Sequence, residues 1–538
     1  MATRTQSEED IRLEMLNSFL SCPHRDTDAV NKVHQELVTK DPVFYVHLGA
    51  WYFKNGEVRD HKEVFVGTLS VDSFLDNREV GLALFRKFPV FLKRRVIGFI
   101  KGKKIKIREK TGKKIQKGKK VIDEVKITEK TVGLFKNIPT AFKKDVEKYL
   151  RWIEADNDRF DSIAMKSLND LKGLYASLSI KPSPRAQKIL FEQKYPEDSK
   201  LNVYKEIADS KTPDEAAILI VKNKIPFTVA VGLVDNVTPS VLVALINSMS
   251  PQEVINNIAS LEEKGAMDNP DTKAIIDKKL KQAEKGKNVA ALKPKTVQAT
   301  GRIKNEETRK KLDAIADSQV RKSGTIKIPT AVLFDKSGSL SESIEIGKRA
   351  AALLSGVMSA PLHVVAFDSM AREIVSAGPG LSAWEKAFQG VTSHGGTSIG
   401  CALDYLMRKN VRVEQIIVIT DEDENGDPRF WEVFPKYVRL MGVTPNVVLI
   451  HVNNQDGIYR TGFSDSLKAH GIAYDLYKPD TGDYYALPGL VTLLSRNSKI
   501  DLLYEIMDTP LPVRKDFDFG GVPVKAKDTP VNEFQRDW

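Results

Sequence analysis

Apolar residues follow two different rhythms along this chain. Up to about residue 320 they recur at three- and four-residue intervals, as in Val254, Ile255, Ile258 and Leu261. That spacing gathers them into a stripe along one helix face, so residues 10–320 predict a succession of amphipathic helices. The helix starts are marked. Ser183-Pro184, Thr212-Pro213, Thr238-Pro239, Ser250-Pro251 and Asn269-Pro270 each set a small polar side chain before a proline. The side chain can cap exposed amides, and proline at the first helical position forfeits no helical hydrogen bond. Thr212 with Glu215, and Ser250 with Glu253, have the spacing of capping boxes. The starts fall 29, 26, 12 and 19 residues apart, which predicts an α-solenoid of degenerate helix pairs without a strict repeat. Residues 303–321 add one more amphipathic helix.

From Thr325 the rhythm changes. Short apolar runs at 328–334, 361–367, 415–420, 445–452 and 472–477 predict strands, and the segments 342–358, 398–409, 428–441 and 484–496 keep helical spacing. Strands alternating with helices form a doubly wound parallel sheet with helices on both faces. In such sheets ligands bind beyond the carboxyl ends of the strands. From Pro510 the chain turns Pro-, Lys- and Asp-rich and predicts an extended tail. The expected organisation is a helical module over 1–322 with a basic insertion at 93–126, a parallel-sheet domain over 323–508, and a tail over 509–538.

Composition narrows the class. The chain has 538 residues, of which 41% are hydrophobic and 28% charged, as in ordinary globular proteins. No apolar run approaches 18 residues, so no membrane partner is expected, and the first residues lack the apolar core of a secretion signal. Only Cys22 and Cys401 occur, which leaves no disulfide framework beyond one bridge and no Cys/His zinc spacing. A cytoplasmic location and a monomer are the expectation.

Charge is concentrated in one place. Between Lys93 and Lys120 there are 14 Lys or Arg residues against one acid, Glu109, whereas the whole chain nets only +11. The remainder is therefore slightly acidic. Alternation in Lys103-Lys104-Ile105-Lys106-Ile107-Arg108, and glycines at 112 and 118, predict a basic hairpin. Such cation density suits a polyphosphate, because each neutralised phosphate releases counterions. A solvated loop with no partner, an anionic lipid surface and a localisation signal are the other readings. No amphipathic helix accompanies the run, which favours nucleic acid over a membrane. The candidate contacts are Lys93, Arg94, Arg95, Lys103, Lys104, Lys106, Arg108, Lys113 and Lys114, with Lys181 and Arg185 near a helix start.

A second chemistry lies at the predicted strand ends. The apolar run 331–334 ends in Asp335-Lys-Ser337-Gly-Ser339, three oxygen-bearing side chains at alternate positions. A glycine-rich loop, His394-Gly-Gly-Thr397-Ser, can bring a further hydroxyl, and the strand 415–420 ends in Asp421. Asp335, Ser337, Ser339, Thr397 and Asp421 together supply hard oxygen donors for a divalent metal, with Mg²⁺ the best match. Taken alone, the first segment also reads as an Asx-type turn or a phosphate-binding turn. No G-x-x-x-x-G-K-[ST] phosphate loop occurs. No nucleophile–base ordering stands out either, so no catalytic residue is expected.

D-x-S-x-S, a Thr some sixty residues on and an Asp at the next strand end resemble the metal-ion-dependent adhesion site of von Willebrand factor A domains. Preceded by a helical module, the combination resembles the Ro autoantigen family, whose helical part is the TROVE module. Further stretches carry the resemblance: Asp41-Pro-Val-Phe-Tyr-Val46, Ile138-Pro-Thr140 through Trp152, Leu171 through Pro182, Ile225-Pro-Phe-Thr228 and Val365-Ala-Phe-Asp368. The resemblance implies HEAT-like repeats closed into a ring and an RNA-binding, non-enzymatic ribonucleoprotein component. It implies small structured Y RNAs on a basic rim, misfolded RNA 3′ ends in the ring hole, and a metal site open to a carboxylate from a protein partner. Two departures stand out. Ser179 occupies a position where the family often has His, and the 93–120 run has no match in the family core. The rival reading is a protein–protein adaptor that grips an acidic partner through the metal.

Overall fold

The computed structural model describes residues 7–522 apart from 21, 23–26, 57, 117–119, 235–237, 287–288, 290–292, 299–300, 324, 337–353, 379–380, 392–394, 453–460 and 478–498. The expected helices 342–358 and 484–496 therefore lie largely or wholly outside the described residues. By contacts the chain forms two compact units, one of residues 1–24 and 236–505, the other of residues 25–235 and 506–538. The division interleaves the sequence: the first helix groups with the sheet, and the C-terminal segment groups with the helices from Arg25 on.

Unit one holds α1 (Glu8–Leu20), then α13 (Pro239–Ser248), α14 (Pro251–Glu263), α15 (Pro270–Lys285), α16 (Lys293–Gln298) and α17 (Glu306–Ser323). Unit two holds α2 (Thr27–Lys40), α3 (Pro42–Asn55), α4 (Arg59–Ser70), α5 (Leu75–Arg86), α6 (Val90–Lys101), α7 (Thr140–Glu154), α8 (Asn157–Leu178), α9 (Pro184–Leu190), α10 (Val203–Ala208), α11 (Pro213–Lys222) and α12 (Phe227–Ala230). All five Pro-marked starts form as expected, with Ser183, Thr212, Thr238, Ser250 and Asn269 each accepting from an amide of the first turn. Ser250 and Glu253 close a full capping box. At α11 the Glu215 carboxylate instead accepts from the Lys211 amide, one residue before the cap. Among the described residues, no helix is long and apolar enough to cross a membrane.

After α17, unit one builds a six-stranded sheet from β3 (Thr330–Asp335), β4 (Leu362–Phe367), β5 (Ala371–Glu373), β6 (Gln415–Thr420), β7 (Asn446–His451) and β8 (Tyr474–Tyr477). The strand order is β5-β4-β3-β6-β7-β8. All neighbours are parallel except β5, a three-residue antiparallel edge strand that the apolar pattern does not announce. β3 and β6 are buried at every position, as expected when helices cover both faces. Helices α18 (Leu381–Ala387), α19 (Ile399–Arg408), α20 (Phe430–Met441) and α21 (Gly462–Ala469) accompany the sheet, and α22 (Lys499–Met507) follows it. Ile399, Leu403, Leu406, Phe430, Val433 and Tyr437 pack on Leu333, Val365, Ile416 and Val418 to form one core.

The basic run does not form a single element. Lys93 to Lys101 complete α6, and the ribbon comprises β1 (Lys103–Gln116) and β2 (Lys120–Val132), antiparallel with a bulge between Lys110 and Gly112. The ribbon is rooted on α6. Leu134 and Lys136 amides donate to the Phe99 and Ile100 carbonyls, and Gly133, at φ +155°, lies where a Cβ would stand 2.1 Å from the Phe99 oxygen. Only glycine fits that crossing.

Candidate metal centre and nucleic-acid surface

The parallel pairing of β3 with β6 brings Asp335 and Asp421 to the same end of the sheet, since Phe334 is in register with Ile419. Both are 1% exposed and Thr397 is 2% exposed. Thr397 reaches that end from the loop before α19. The Ser398 amide donates to the Asp368 carbonyl at 2.8 Å, anchoring the loop beside β4. Asn425 then clasps Thr397 from both sides: its Oδ1 accepts the Thr397 amide at 2.9 Å, and its own amide donates to the Thr397 oxygen at 3.0 Å. Gly426 adds a second donor to that oxygen at 2.7 Å. The carboxylates are braced as well. Asp335 Oδ2 accepts from Thr420 Oγ1 at 2.7 Å, and Asp421 Oδ1 accepts from the Asp423 amide at 3.3 Å.

Next to Asp421, Glu422 takes the left-handed conformation at φ +68° and is fully buried. Its carboxylate meets His451 Nδ1 at 2.6 Å and accepts the Ser464 amide at 2.9 Å, tying the end of β6 to β7 and α21. Burial acts to raise its pKa, but His451 and Ser464 hold it below the usual glutamate value. Glu424 receives the amides of Gly400 and Phe430 at the starts of α19 and α20, and burial pushes its carboxyl up to about 7. Asp368 pairs with Lys336; burial opposes its ionisation, yet that ammonium and the Met370 amide keep it below the ordinary aspartate range. Sequence reasoning missed Asn425, Glu424 and the Glu422–His451 pair. The acids after Asp421, from Glu422 to Asp427, look like a solvated loop in the sequence, yet Glu422 is buried and Glu424 lies against the α19 and α20 starts.

Ser337 and Ser339 lie outside the described residues. Among the described residues, no three His, Cys, Asp or Glu side chains are grouped to hold a metal. The donors present, two buried carboxylates and one buried threonine, fit a hard cation that takes hydroxyls and water as its remaining ligands.

The predicted cationic contacts separate into distinct environments. Lys93 is buried at 2% exposure, with Nζ donating to the Arg86 and Phe88 carbonyls and lying 4.6 Å from the Tyr149 ring centroid. It caps the end of α5, and desolvation drives its pKa down to about 7 despite Asp145 nearby. As a phosphate ligand it is withdrawn. The missed signal is the spacing Lys93, Val96, Ile97, Ile100, which puts it on the apolar stripe of α6. Arg94 pairs with Asp170 at 3.0 Å but stays half exposed, and Arg95 is held by Glu63 and Asp60. Lys103 is partly buried beside Arg95 and Glu63, and desolvation lowers its pKa. Lys104 is exposed. Lys106, Arg108, Lys113 and Lys114 occupy described strand positions, with Lys106 in register with Glu129 and Lys113 with Asp123.

Lys181 lies in the connection before α9, and Arg185 lies in the first turn of that helix. Ser179 is left-handed at φ +51°, Arg151 donates to the Lys181 oxygen at 2.7 Å, and Glu154 accepts the Ser183 amide at 2.8 Å. Lys181 is exposed there. Arg185 is committed to Asp161 at 3.0 Å and Asp198 at 2.6 Å, so it reads as a staple between α9 and its surroundings.

A helical region together with a mostly parallel, helix-flanked six-stranded sheet defines a class of two-part α plus α/β folds. Within that class the fold is that of the Ro protein. The crystal structure of the Ro (RSR) protein of Deinococcus radiodurans is similar over 92% of this chain and 95% of its own, with a TM-score of 0.52 and 13% identity. A von Willebrand factor type A structure from Catenulispora acidiphila aligns over 32% of this chain and 43% of its own, at a TM-score of 0.26 and 14% identity. The conserved hypothetical protein BatB from Bacteroides thetaiotaomicron aligns over 33% of this chain and 99% of its own, at 0.25 and 16%. No family model and no curated protein matches the sequence.

Proposed function

We propose that this chain is a non-enzymatic, RNA-binding component of a ribonucleoprotein, acting in RNA quality control. The observation that carries the reading is the ribbon β1–β2, set into a chain with the Ro fold. Residues 103–132 hold 12 Lys or Arg against 4 acids, so most of the chain's net charge of +11 resides in them. A two-stranded ribbon of that charge suits the phosphates of a small structured, Y-like RNA, which proteins grip by shape and backbone contacts. Lys103, Lys104, Lys106, Arg108, Lys113 and Lys114 are the contacts on this reading, with Arg94 and Lys181 as flanking cations. Single-stranded 3′ ends of misfolded RNA are the second cargo. The helical module spans 1–322 with its insertion at 93–126, and the A-type domain spans 323–508. Asp335, Ser337, Ser339, Thr397 and Asp421 would hold a divalent cation, Mg²⁺ by donor type, whose role is to bind the carboxylate of a protein partner. The chain works as a cytoplasmic monomer.

Neutralising Lys103, Lys104, Lys106, Arg108, Lys113 and Lys114 tests the ribbon's part. The slope of log affinity against log salt should flatten by about 0.7–0.9 for each phosphate that the ribbon no longer neutralises. An unchanged slope removes the ribbon from the interface.

A further inference from the structure

The C-terminal segment Thr509–Val522, expected as an extended tail, is seated on unit two as a strap. Arg514 anchors it: Nε lies 2.8 Å and Nη2 2.6 Å from Glu79, and Nη1 lies 3.7 Å from Asp145. Beyond the anchor, Asp516, Phe517, Asp518 and Phe519 alternate acid and ring. The Phe519 ring lies 4.5 Å from the Arg86 guanidinium, and Lys87 Nζ lies 4.8 Å from the Phe517 ring and 5.1 Å from that of Phe53. Arg86 Nη1 donates to the Arg514 and Phe517 carbonyls at 2.7 and 3.0 Å. Gly520 lies against Trp152, so that a Cβ would stand 3.0 Å from the indole, and the Arg159 guanidinium stacks 3.9 Å from that ring. Gly521, at φ +78°, presses on the Arg86 and Lys87 backbone where a Cβ would come within 2.7 Å.

Rings resting on cations, oxygens accepting from an arginine and acids spaced between the rings are what a single nucleic-acid strand also presents. The surface underneath supplies the matching half. Lys87 and Arg159, with the Nη1 side of Arg86 that Asp145 does not hold, lie beside the faces of Phe53 and Trp152, the pairing of cations and stacking platforms by which single strands are held without sequence readout. We propose that residues 515–522 are a removable cover over a single-stranded RNA subsite on unit two, displaced by an unpaired RNA segment while Arg514 keeps the strap tethered. The inference rests on the RNA-binding reading and adds to it a location and a built-in competitor. Glu79 and Asp145 explain why the anchor is excluded from the exchange: a phosphate is repelled there, and an arginine is held.

The test uses the full chain, a form ending at Lys515, and the full chain with Phe517→Ala and Phe519→Ala, each checked for an unchanged unfolding transition. The probe is a fluorescent uridine decamer, with a labelled stem-loop RNA alongside. Both altered forms should bind the decamer about tenfold more tightly than the full chain. Lys87→Glu in the shortened form should remove the gain, and a synthetic peptide of residues 514–522 should compete. Stem-loop binding by all forms with no gain for the decamer overturns the inference and leaves the RNA reading standing. Binding of neither RNA by any form ends both. Capture of the peptide by the shortened form without any gain for the decamer makes the surface a peptide dock and refutes the RNA subsite.

Discussion

Replacing Lys93 by methionine should change how stability depends on pH and leave RNA affinity untouched. The folded protein holds the Lys93 ammonium in a desolvated site, so its pKa falls from 10.5 to about 7. In the unfolded chain the group keeps its ordinary value. Between these two values the unfolded state binds the extra proton, so this group makes stability rise with pH through the window and adds no slope below about 7. At about 1.36 kcal/mol for each pKa unit, moving from pH 7 to 9 should strengthen the wild type by roughly 2–3 kcal/mol relative to Lys93→Met. Opposing this, methionine strips the Arg86 and Phe88 carbonyls of their Nζ donor, a loss of about 1–3 kcal/mol for each buried acceptor. That loss is insensitive to pH, so it shifts the whole curve and not its shape. Urea unfolding at pH 6, 7, 8 and 9 reads the difference directly. Parallel curves for the two proteins would refute the buried-ammonium argument. A fall in RNA affinity at unchanged fold would return Lys93 to the interface.

Asp335→Ala should abolish any rise in melting temperature on adding Mg²⁺, and a rise equal to wild type would count against the proposed cation site. Asn425→Ala removes the side chain that accepts the Thr397 amide and should weaken that Mg²⁺ response several-fold while the melting temperature without metal drops by only a few degrees, in line with about 1 kcal/mol for one hydrogen bond. A response as strong as wild type would show that Thr397 needs no clasp.

Much of the sheet domain was legible because parallel strands buried on both faces read as short, continuous apolar runs. The five expected strands are all present, and Asp335 and Asp421, placed at strand ends, do come to the same end of the sheet. β5 escaped notice because three residues at a sheet edge need no apolar pattern. The five Pro-marked helix starts were legible for a local reason: a cap and its amides lie within four residues of one another. The cationic candidates fared unevenly because charge type alone does not report environment. Lys93, Arg95 and Arg185 look like surface cations in sequence, yet each is claimed by groups that the helical pattern does not reveal: the α5 carbonyls, Glu63, and Asp161 with Asp198. Only for Lys93 did the helical period hold a warning. The docked strap was illegible for the same reason: Arg514 and Glu79 are 435 residues apart, and only the fold brings them together.

The central claim is that this chain binds RNA through a cationic surface, and the most direct measurement is equilibrium binding of a labelled small stem-loop RNA with a free 3′ tail to the full chain across a salt series. The account predicts tight binding at low salt whose logarithm falls steeply and linearly with log salt. No binding at low salt, or binding indifferent to salt, would contradict it.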